Sequence, residues 1–351
     1  MYSGDSVVRI KTRSKMLSTR RLVDRRRLYR YIILGAVLVL GGLCLYLHNT
    51  YTETTNTTDV AASPTELSTV NKTKCHILIM VLSTPKNTRN REILRWNSYL
   101  GYPWVYNRTD IDFRYVFILG KTQDKAINDF AVKEAEVYGD IAIGDFKDSY
   151  SNLSEKVIWG FKYALKYFDF TFCVKVDEDS FINITFLMAQ LNQVEPHSLP
   201  KYYAGKPRQG DLKVPKHGKF KVDYWEHDEI AEYVQYNLGG GYVLSQEAMT
   251  NIMTAHKSGA IEMLAWEDVY IGMLAYLVDI TPIRIYHYYI SKFHPFCTDD
   301  KSILLHHTQP ELQARMLHHY HKKGKYCPKQ ISEVEVMKLI NSYEIIDWRD
   351  Y

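Results

Sequence analysis

The acidic triplet Asp177, Glu178 and Asp179 follows an apolar run, "FTFCVKV" at 170–176, that is typical of a buried strand. An ordinary strand does not require this much negative charge at its end, so the triplet either forms a solvated turn or holds a cation. Two carboxylates spaced two residues apart on a turn can reach one hard cation, and Mn²⁺ and Mg²⁺ prefer oxygen ligands. The spacing therefore predicts a metal site at Asp177 and Asp179.

A second acidic pair, Glu267 and Asp268, opens a predicted helix in the segment "WEDVYIG". Acidic side chains at this position stabilise a helix through its dipole, which requires no further function. A carboxylate held beside a hydroxyl group can also take its proton and so act as a general base. The sequence alone leaves both interpretations open.

Glycines and histidines downstream could complete a site around these acids. Gly239, Gly240 and Gly241 in "NLGGGYVLS" either allow a ligand to approach the backbone closely or form a tight turn into the following strand. We favour a backbone wall beside a bound ligand. In "ILLHHTQPE", His306 or His307 could supply a further metal ligand, and the sequence does not distinguish between the two.

Strands and helices alternate in the part of the chain that must position the acidic triplet. Predicted strands lie at 76–83, 113–120, 140–146 and 170–176, and predicted helices at 87–100, 124–139 and 151–168. This order predicts an α/β fold with a mostly parallel central sheet that helices cover. Ligands in such sheets bind beyond the carboxyl ends of the strands, where the triplet would lie. Asn152 and Glu155 fit a capping box at the start of the third helix.

The N-terminal residues are organised differently from the rest. Residues 1–30 hold ten Lys and Arg against two Asp, a charge of +8, so the remaining chain carries −4 of the total +4. A mildly acidic body argues against a nucleic-acid partner. The uncharged apolar segment 31–47 predicts a transmembrane signal anchor; a cleaved signal peptide is the alternative, disfavoured by the missing small-residue cleavage site. We expect a cytoplasmic tail at 1–30, a lumenal Thr-rich stem at 48–74 and one lumenal domain at 75–351.

Sequons and cysteines agree with a lumenal body. Five N-x-S/T sequons could carry N-linked glycans, at Asn56, Asn71, Asn107, Asn152 and Asn183. Cys75 and Cys173 lie in or beside apolar strands, where we expect them to act as small core residues. Cys297 and Cys327 flank a polar, His-rich segment and could form a disulfide in an oxidising lumen.

The combination of these features resembles one known family. A short basic tail, an anchor, a stem, a D-x-D after a strand, a Gly-rich turn and E-D-V-x-x-G are similar to the β-1,3-glycosyltransferases of glycosyltransferase family 31. The resemblance runs from about Cys75 to Cys327. It implies a GT-A-type nucleotide-sugar-binding fold, a UDP-sugar donor, Mn²⁺, inversion at the anomeric carbon, and a single-pass type II protein of the Golgi membrane with a lumenal catalytic domain.

The resemblance also implies roles for individual residues. Asp177 and Asp179 match the D-x-D, with Asp179 the more direct Mn²⁺ ligand, and Asp268 matches the general base. Asp148 and Lys156 match the segment "DSYxNLTxK", which lines the nucleotide side.

Arginines near the first helix match a further family pattern. Arg91 and Arg95 match R-x-x-x-R near the uridine diphosphate, although the chain has Ser98 where the family usually has Trp. His307 would add a third metal ligand, and Gly239–Gly241 would form the wall that faces the sugar.

A closer resemblance, to particular members of the family, concerns the donor and the acceptor. Within the family, "DSYSNLSEKV", "KVDEDSF", "LGGGYVLS" and "YEIIDW" look most like the members that build the glycosaminoglycan linker. These imply UDP-galactose as donor and Gal-β-1,4-Xyl on a proteoglycan core protein as acceptor. Transfer of galactose or N-acetylglucosamine to other glycoprotein or glycolipid chains is the alternative, and a non-catalytic lumenal lectin is a third possibility.

Overall fold

Strands and helices are described for residues 71–101, 112–209, 234–290 and 302–323 of this computed structural model. The strands are β1 (Thr73–Leu82), β2 (Phe113–Lys121), β3 (Ile141–Lys147), β4 (Phe168–Asp177), β5 (Phe181–Ile182), β6 (Tyr203–Pro207), β7 (Asn237–Ser245), β8 (Ile283–Arg284), β9 (Tyr288–Tyr289) and β10 (Leu304–Leu305). The helices are α1 (Thr88–Asn97), α2 (Lys125–Tyr138), α3 (Leu153–Tyr167), α4 (Ile184–Leu191), α5 (Gln246–Lys257), α6 (Glu267–Leu277) and α7 (Pro310–Lys323).

The main sheet has the strand order β3-β2-β1-β4-β7-β6-β8. β1 pairs in parallel with β2 and β4, and the pairs β2–β3 and β6–β8 are also parallel. β7 runs antiparallel to both β4 and β6. The prediction of a mostly parallel central sheet is therefore confirmed, and β4 lies where the parallel strands meet the antiparallel ones. A second, three-stranded sheet has the order β5-β10-β9.

Helices cover both faces of the central strands, which explains why those strands read as continuous apolar runs. Alternate residues of β1 point to opposite faces. Ile77 and Ile79 pack in the core that includes side chains of α1 and α4. Leu78 and Met80 pack in the second core, which includes side chains of α3, α5 and α6. The carboxyl ends of β1 to β4 consequently meet at one edge of a rigid, two-sided sheet.

Helix ends show where local sequence signals hold and where they fail. The Asp124 side chain accepts hydrogen bonds from the first N–H groups of α2, and Gly139 ends this helix with φ 66°, as the predicted glycine stop requires. The capping box predicted from Asn152 and Glu155 is wrong. Asn152 makes no side-chain cap, because its amide instead donates to the carbonyl oxygen of Lys147 at 3.3 Å.

Several predictions fall outside the described residues. These are the tail at 1–30, the anchor at 31–47, almost all of the stem at 48–74, the sequons at Asn56 and Asn107, and the pair Cys297 and Cys327. Among the described helices, none has the length and apolar character that a bilayer crossing needs.

Two predictions on sequons and cysteines can be compared with the structure. Asn183, one of the five sequon asparagines, is 3% exposed and caps α4 by accepting from the N–H of Phe186, so its side chain has a structural role in the folded domain. Cys75 and Cys173 are buried free thiols, as expected of core residues, and burial raises the pKa of Cys75 to about 12.

Candidate active site

The acidic triplet lies at the end of β4, at the shared edge of the parallel strands. Asp177 is the last residue of β4 and, like Asp179, is partly exposed. Glu178 turns inward and accepts hydrogen bonds from Ser83 Oγ at 2.7 Å, Asn90 Nδ2 at 3.0 Å and the amide of Asn87. Glu178 therefore ties β4 to the segment between β1 and α1, while the outer two aspartates stay partly exposed.

Two histidines lie against Asp179. His306 Nε2 is 3.3 Å from Asp179 Oδ1 and 3.5 Å from Asp177 Oδ2, and His307 Nδ1 is 3.6 Å from Asp179 Oδ2. The two imidazole rings stack with centroids 3.8 Å apart. His307 has φ 60°, a left-handed conformation that breaks the usual alternation and lets two successive rings share one side. Both histidines, rather than His307 alone, thus lie at the predicted metal site.

This cluster has the chemistry of a cation site. One ligand atom from each of Asp179, His306 and His307 lies within 4.8 Å of the others. Burial disfavours the charged form of Asp179, but the hydrogen bond and charge of His306, with the charge of His307, outweigh burial and lower its pKa. Carboxylate and imidazole together suit a divalent metal ion, so the residues present fit the group that the family resemblance implies.

A buried lysine joins this cluster to the second acidic pair. Lys175, 1% exposed, donates from Nζ to Asp177 Oδ1 at 3.0 Å, to Glu267 Oε1 at 2.7 Å and to the carbonyl oxygen of Gly239 at 2.5 Å. Burial alone would lower the pKa of Lys175, but the charges of Asp177 and Glu267 more than reverse this and raise it. Lys175 therefore links the acidic end of β4 directly to the start of α6.

Glu267 and Asp268 occupy different environments at the first turn of α6. Glu267 is 2% exposed and also accepts from the Tyr242 hydroxyl at 3.0 Å, and burial raises its pKa to about 7. Asp268 is partly exposed and accepts from the N–H groups of Gly239 at 3.1 Å and Val269 at 2.9 Å. Burial also raises the pKa of Asp268. Of the two acids, Asp268 is the more exposed.

The three glycines let β7 lie against these side chains. A Cβ on Gly240 would be 2.5 Å from the His306 ring, one on Gly241 would be 2.3 Å from Leu304 Cδ1, and one on Gly239 would be 3.0 Å from Glu267 Oε1. The glycines lie inside β7, so the alternative of a turn before the strand is wrong. Close packing explains them here, and their predicted role as a wall against the sugar stays a prediction.

The predicted nucleotide side contains a buried ion pair. Lys156 Nζ lies 3.0 Å from Asp148 Oδ2, which also accepts from the N–H of Gly120 at 2.8 Å, and Lys156 donates to the carbonyl oxygen of Ser83. Burial lowers the pKa of Lys156, although Asp148 acts against this. The pair follows β3 and lies at the same sheet edge as the acidic triplet.

Arg91 and Arg95 are buried in a separate ion-pair network. Arg91 binds Glu134 through Nε at 2.9 Å and Nη2 at 2.6 Å, and its other donors meet Ser83 Oγ at 3.0 Å and nearby oxygens of residues 84–88. Arg95 binds Glu134 at 2.8 Å and Asp140 at 2.7 Å. Both arginines therefore fix α1 to α2, and direct contact with the uridine diphosphate stays a prediction.

Comparison with known proteins bears on this arrangement. The family model described as galactosyltransferase matches residues 95–285, which is 191 of the 351 residues. The chain belongs to the galactosyltransferase family. It is therefore a glycosyltransferase, and the matched span includes Asp148, Asp177 and Asp268 but ends before the two histidines.

Individual relatives of this glycosyltransferase are distant. Lactosylceramide 1,3-N-acetyl-beta-D-glucosaminyltransferase of Mus musculus is 26% identical over 263 residues, 72% of this chain and 68% of that protein. Beta-1,3-galactosyltransferase 1 of Mus musculus is 25% identical over 253 residues, 68% of this chain and 72% of that protein. The solved galactosyltransferase LgtC, in complex with donor and acceptor sugar analogues, has 9% identity and a TM-score of 0.32 over 59% of this chain and 72% of its own. A TM-score this low does not by itself define a shared fold.

Two residues of this glycosyltransferase site were missed from the sequence. Ser83 contacts Glu178, Arg91 and Lys156, but nothing distinguishes it in the run "HILIMVLS". Lys175 did leave a signal, because it is the one charged side chain within the apolar segment 170–176. A charge inside a strand that is buried on both faces requires partners, and here those partners are residues of the candidate site.

Proposed function

We propose that this glycosyltransferase is an inverting β-1,3-galactosyltransferase with a GT-A-type fold, which moves galactose from UDP-galactose to the 3-hydroxyl of a glycan acceptor. The activities for which the two relatives are named, both 1,3-transfers, support the linkage. The observation that carries the proposal is that one lysine, Lys175, contacts both Asp177 and Glu267, the neighbour of Asp268, and so brings the two acidic segments together.

Asp268 would act as the general base. Its carboxylate removes the proton of the acceptor 3-hydroxyl while that oxygen attacks C1 of galactose. The new C1–O bond forms on the face opposite the departing UDP, the old bond to the phosphate oxygen breaks, and the α-linked sugar becomes β-linked. The N–H groups of Gly239 and Val269 orient the Asp268 carboxylate for this step. General-base catalysis typically contributes about 10²–10⁴-fold in rate.

Asp179 and His306, with His307 and Asp177 beside them, would hold Mn²⁺. When bound, such an ion neutralises the negative charge of the leaving diphosphate. Lys156 and Asp148 would border the nucleotide.

For the acceptor we propose Gal-β-1,4-Xyl of the proteoglycan linker, in the Golgi lumen. The tail at 1–30 would be cytoplasmic, and the segment 31–47 would anchor a type II membrane protein whose domain at 75–351 faces the lumen. Transfer of N-acetylglucosamine is the second candidate, and the identity to a 1,3-N-acetylglucosaminyltransferase favours it specifically.

A transfer assay with the purified full chain in detergent separates these functions. Each of UDP-galactose, UDP-N-acetylglucosamine and UDP-N-acetylgalactosamine is supplied with Mn²⁺ and Gal-β-1,4-Xyl, lactose or lactosylceramide, and products are identified by mass spectrometry and NMR. β-1,3-Galactose on Gal-β-1,4-Xyl is the expected product. N-acetylglucosamine transfer would replace the donor assignment, and sugar binding with no transfer across the panel would favour the lectin.

A further inference from the structure

The geometry points to Lys175 as a positioning residue that holds the candidate metal cluster and the proposed base in one arrangement. This inference rests on the proposed function, because it assigns Lys175 a part in bringing donor and acceptor chemistry together.

The partners of Lys175 come from three separate segments. Asp177 ends β4, Gly239 lies in β7, 64 residues away from Lys175, and Glu267 begins α6, 92 residues away. A lysine ammonium has three N–H donors, and these three acceptors match that number. Lys175 is also buried, so it has no donor to offer to a substrate. Its contribution must act through the groups it holds.

Those groups lead directly to both halves of the proposed chemistry. The second oxygen of Asp177, Oδ2, is 3.5 Å from His306 Nε2 at the metal cluster. On the other side, Gly239, whose carbonyl Lys175 binds, donates its N–H to Asp268 Oδ2 at 3.1 Å. A continuous set of contacts thus runs from His306 through Asp177, Lys175 and Gly239 to the proposed base.

Charge explains why an ammonium fits this position. Asp177 and Glu267 would repel each other across the buried gap that Lys175 fills, and Glu267, 2% exposed, has little access to water that could screen it. A neutral side chain of similar length could fill the volume but could neither offset the two carboxylates nor bind the Gly239 carbonyl. The position therefore needs both the charge and the three donors.

A purely structural role for Lys175 makes a different prediction, and a double variant distinguishes the two. Lys175→Met leaves the buried Glu267 carboxyl without a cation partner, with the Tyr242 hydroxyl as its remaining side-chain donor, and should lower Tm by several degrees. Adding Glu267→Gln removes that charge, so Lys175→Met/Glu267→Gln should recover most of the lost Tm. Asp177 and the Gly239 carbonyl still lack their donor in the double variant. Lys121→Met, at an exposed ion pair with Asp145, is the matched control.

Three measurements on the full chain in detergent decide between the roles. We expect kcat with UDP-galactose to fall about 10–100-fold in both Lys175 variants, as for groups that orient a metal site from outside its ligands. Mn²⁺-dependent UDP affinity, measured by calorimetry, should fall about tenfold in both. Neither quantity, nor Tm, should change in Lys121→Met. Recovery of kcat and UDP affinity together with Tm in the double variant would overturn the inference and leave Lys175 a structural residue.

Failure of the proposed function gives a different result from failure of this inference. If the wild-type chain binds UDP with Mn²⁺ but transfers no sugar, the proposed function is wrong. The UDP affinities of the variants would then still test whether Lys175 positions Asp177. If the wild-type chain shows no Mn²⁺-dependent UDP binding at all, both proposals fall.

Discussion

Charged side chains are paired differently on the two sides of β4. On the side of β1 to β3, buried cations and anions are paired closely: Arg91 with Glu134, Arg95 with Asp140, and Lys156 with Asp148. On the side of β7 and α6, four carboxylates lie around one ammonium and two imidazoles: Asp177, Asp179, Glu267 and Asp268 around Lys175, His306 and His307. On the first side each of these cations has an anionic partner, whereas the second side carries an excess of negative charge.

This difference indicates where a bound cation would be stabilising. Paired, buried charges on the first side already satisfy one another, so they support the sheet edge without a bound group. Crowded carboxylates raise one another's pKa, and those of Glu267 and Asp268 are both raised, chiefly by burial and in part by neighbouring acids. A divalent cation would supply the missing positive charge. The contrast predicts large catalytic effects on the second side and large stability effects on the first.

The largest effect should come from Asp268→Asn. The amide cannot accept the acceptor proton, so kcat should fall by about 10²–10⁴-fold. Mn²⁺-dependent UDP affinity should stay near the wild-type value in calorimetry, because Asp268 is not part of the metal cluster. Asp145→Asn, at a side chain that is 92% exposed, is the control and should change neither quantity. A fully active Asp268→Asn variant would show that Asp268 is not the general base.

The pH profile sharpens the same assignment. The base works only when ionised, and burial raises the pKa of Asp268. The value of kcat/KM should therefore fall as the pH drops through this raised pKa, above the range of an ordinary Asp at about 3.9. If kcat/KM of Asp268→Glu and Asp268→Asn falls at the same acidic pH as in the wild type, another group is responsible for the fall.

Removal of the candidate metal ligands should have the next largest effect. Asp179→Ala should abolish Mn²⁺-dependent UDP binding, since Asp179 is the member of the cluster that both histidines contact. His306→Ala should weaken Mn²⁺ binding more than His307→Ala, because His306 Nε2 lies near two aspartates and His307 Nδ1 near one. The opposite order would favour His307, the ligand that the sequence pointed to. Unchanged affinity in Asp179→Ala would contradict a metal site here.

Arg91→Met tests the balanced side. It leaves Glu134 with only part of its buried pairing, and breaking such a pair lowers the free energy of unfolding by about 3–5 kcal/mol. Chemical denaturation measures this loss, and UDP affinity of the folded fraction should be unchanged. Met preserves much of the apolar stem, so the effect reports mainly on the guanidinium. Wild-type stability with weakened UDP binding would instead support the predicted contact between Arg91 and the nucleotide.

The smallest effect should come from Gly240→Ala. The added Cβ would lie 2.5 Å from the His306 ring, so the ring must move and Mn²⁺ affinity should fall about tenfold. Gly160→Ala is the control, because its Cβ would meet Met80 Sδ at 2.7 Å, away from the cluster. It should lower stability without changing Mn²⁺ affinity. Equal Mn²⁺ affinities in the two variants would show that close packing at Gly240 does not position His306.

The sequence predicted the elements well because each one carries a local signal. The run predicted at 76–83 became β1 (Thr73–Leu82), and the helix predicted at 124–139 became α2 with its cap and its glycine stop. Contacts between distant segments left no such signal. The antiparallel placement of β7 depends on pairing with β4 and β6, and the burial of Asn183 depends on how α4 packs.

For the site, residue types were easier to predict than partners. The acidic residues, the glycines and the histidine pair were visible from composition and spacing, whereas the roles of Glu178 and Arg91 depend on side chains far away in sequence. Glu178 binds Ser83, and Arg91 binds Glu134, at separations of 95 and 43 residues. A charged residue with a buried partner of opposite charge has a structural role, and only the folded structure shows which residues have such partners.

The contact between Asp179 and His306 has a consequence for biosynthesis. The two residues are 127 positions apart, and Thr308 closes the same turn by donating its N–H to the Asp179 carbonyl oxygen at 2.7 Å. At about 5–20 residues per second, a ribosome makes this interval in roughly 6–25 s. During that interval the nascent acidic turn has no histidine beside it, so a cation that uses His306 as a ligand would bind only after residue 306 has been made.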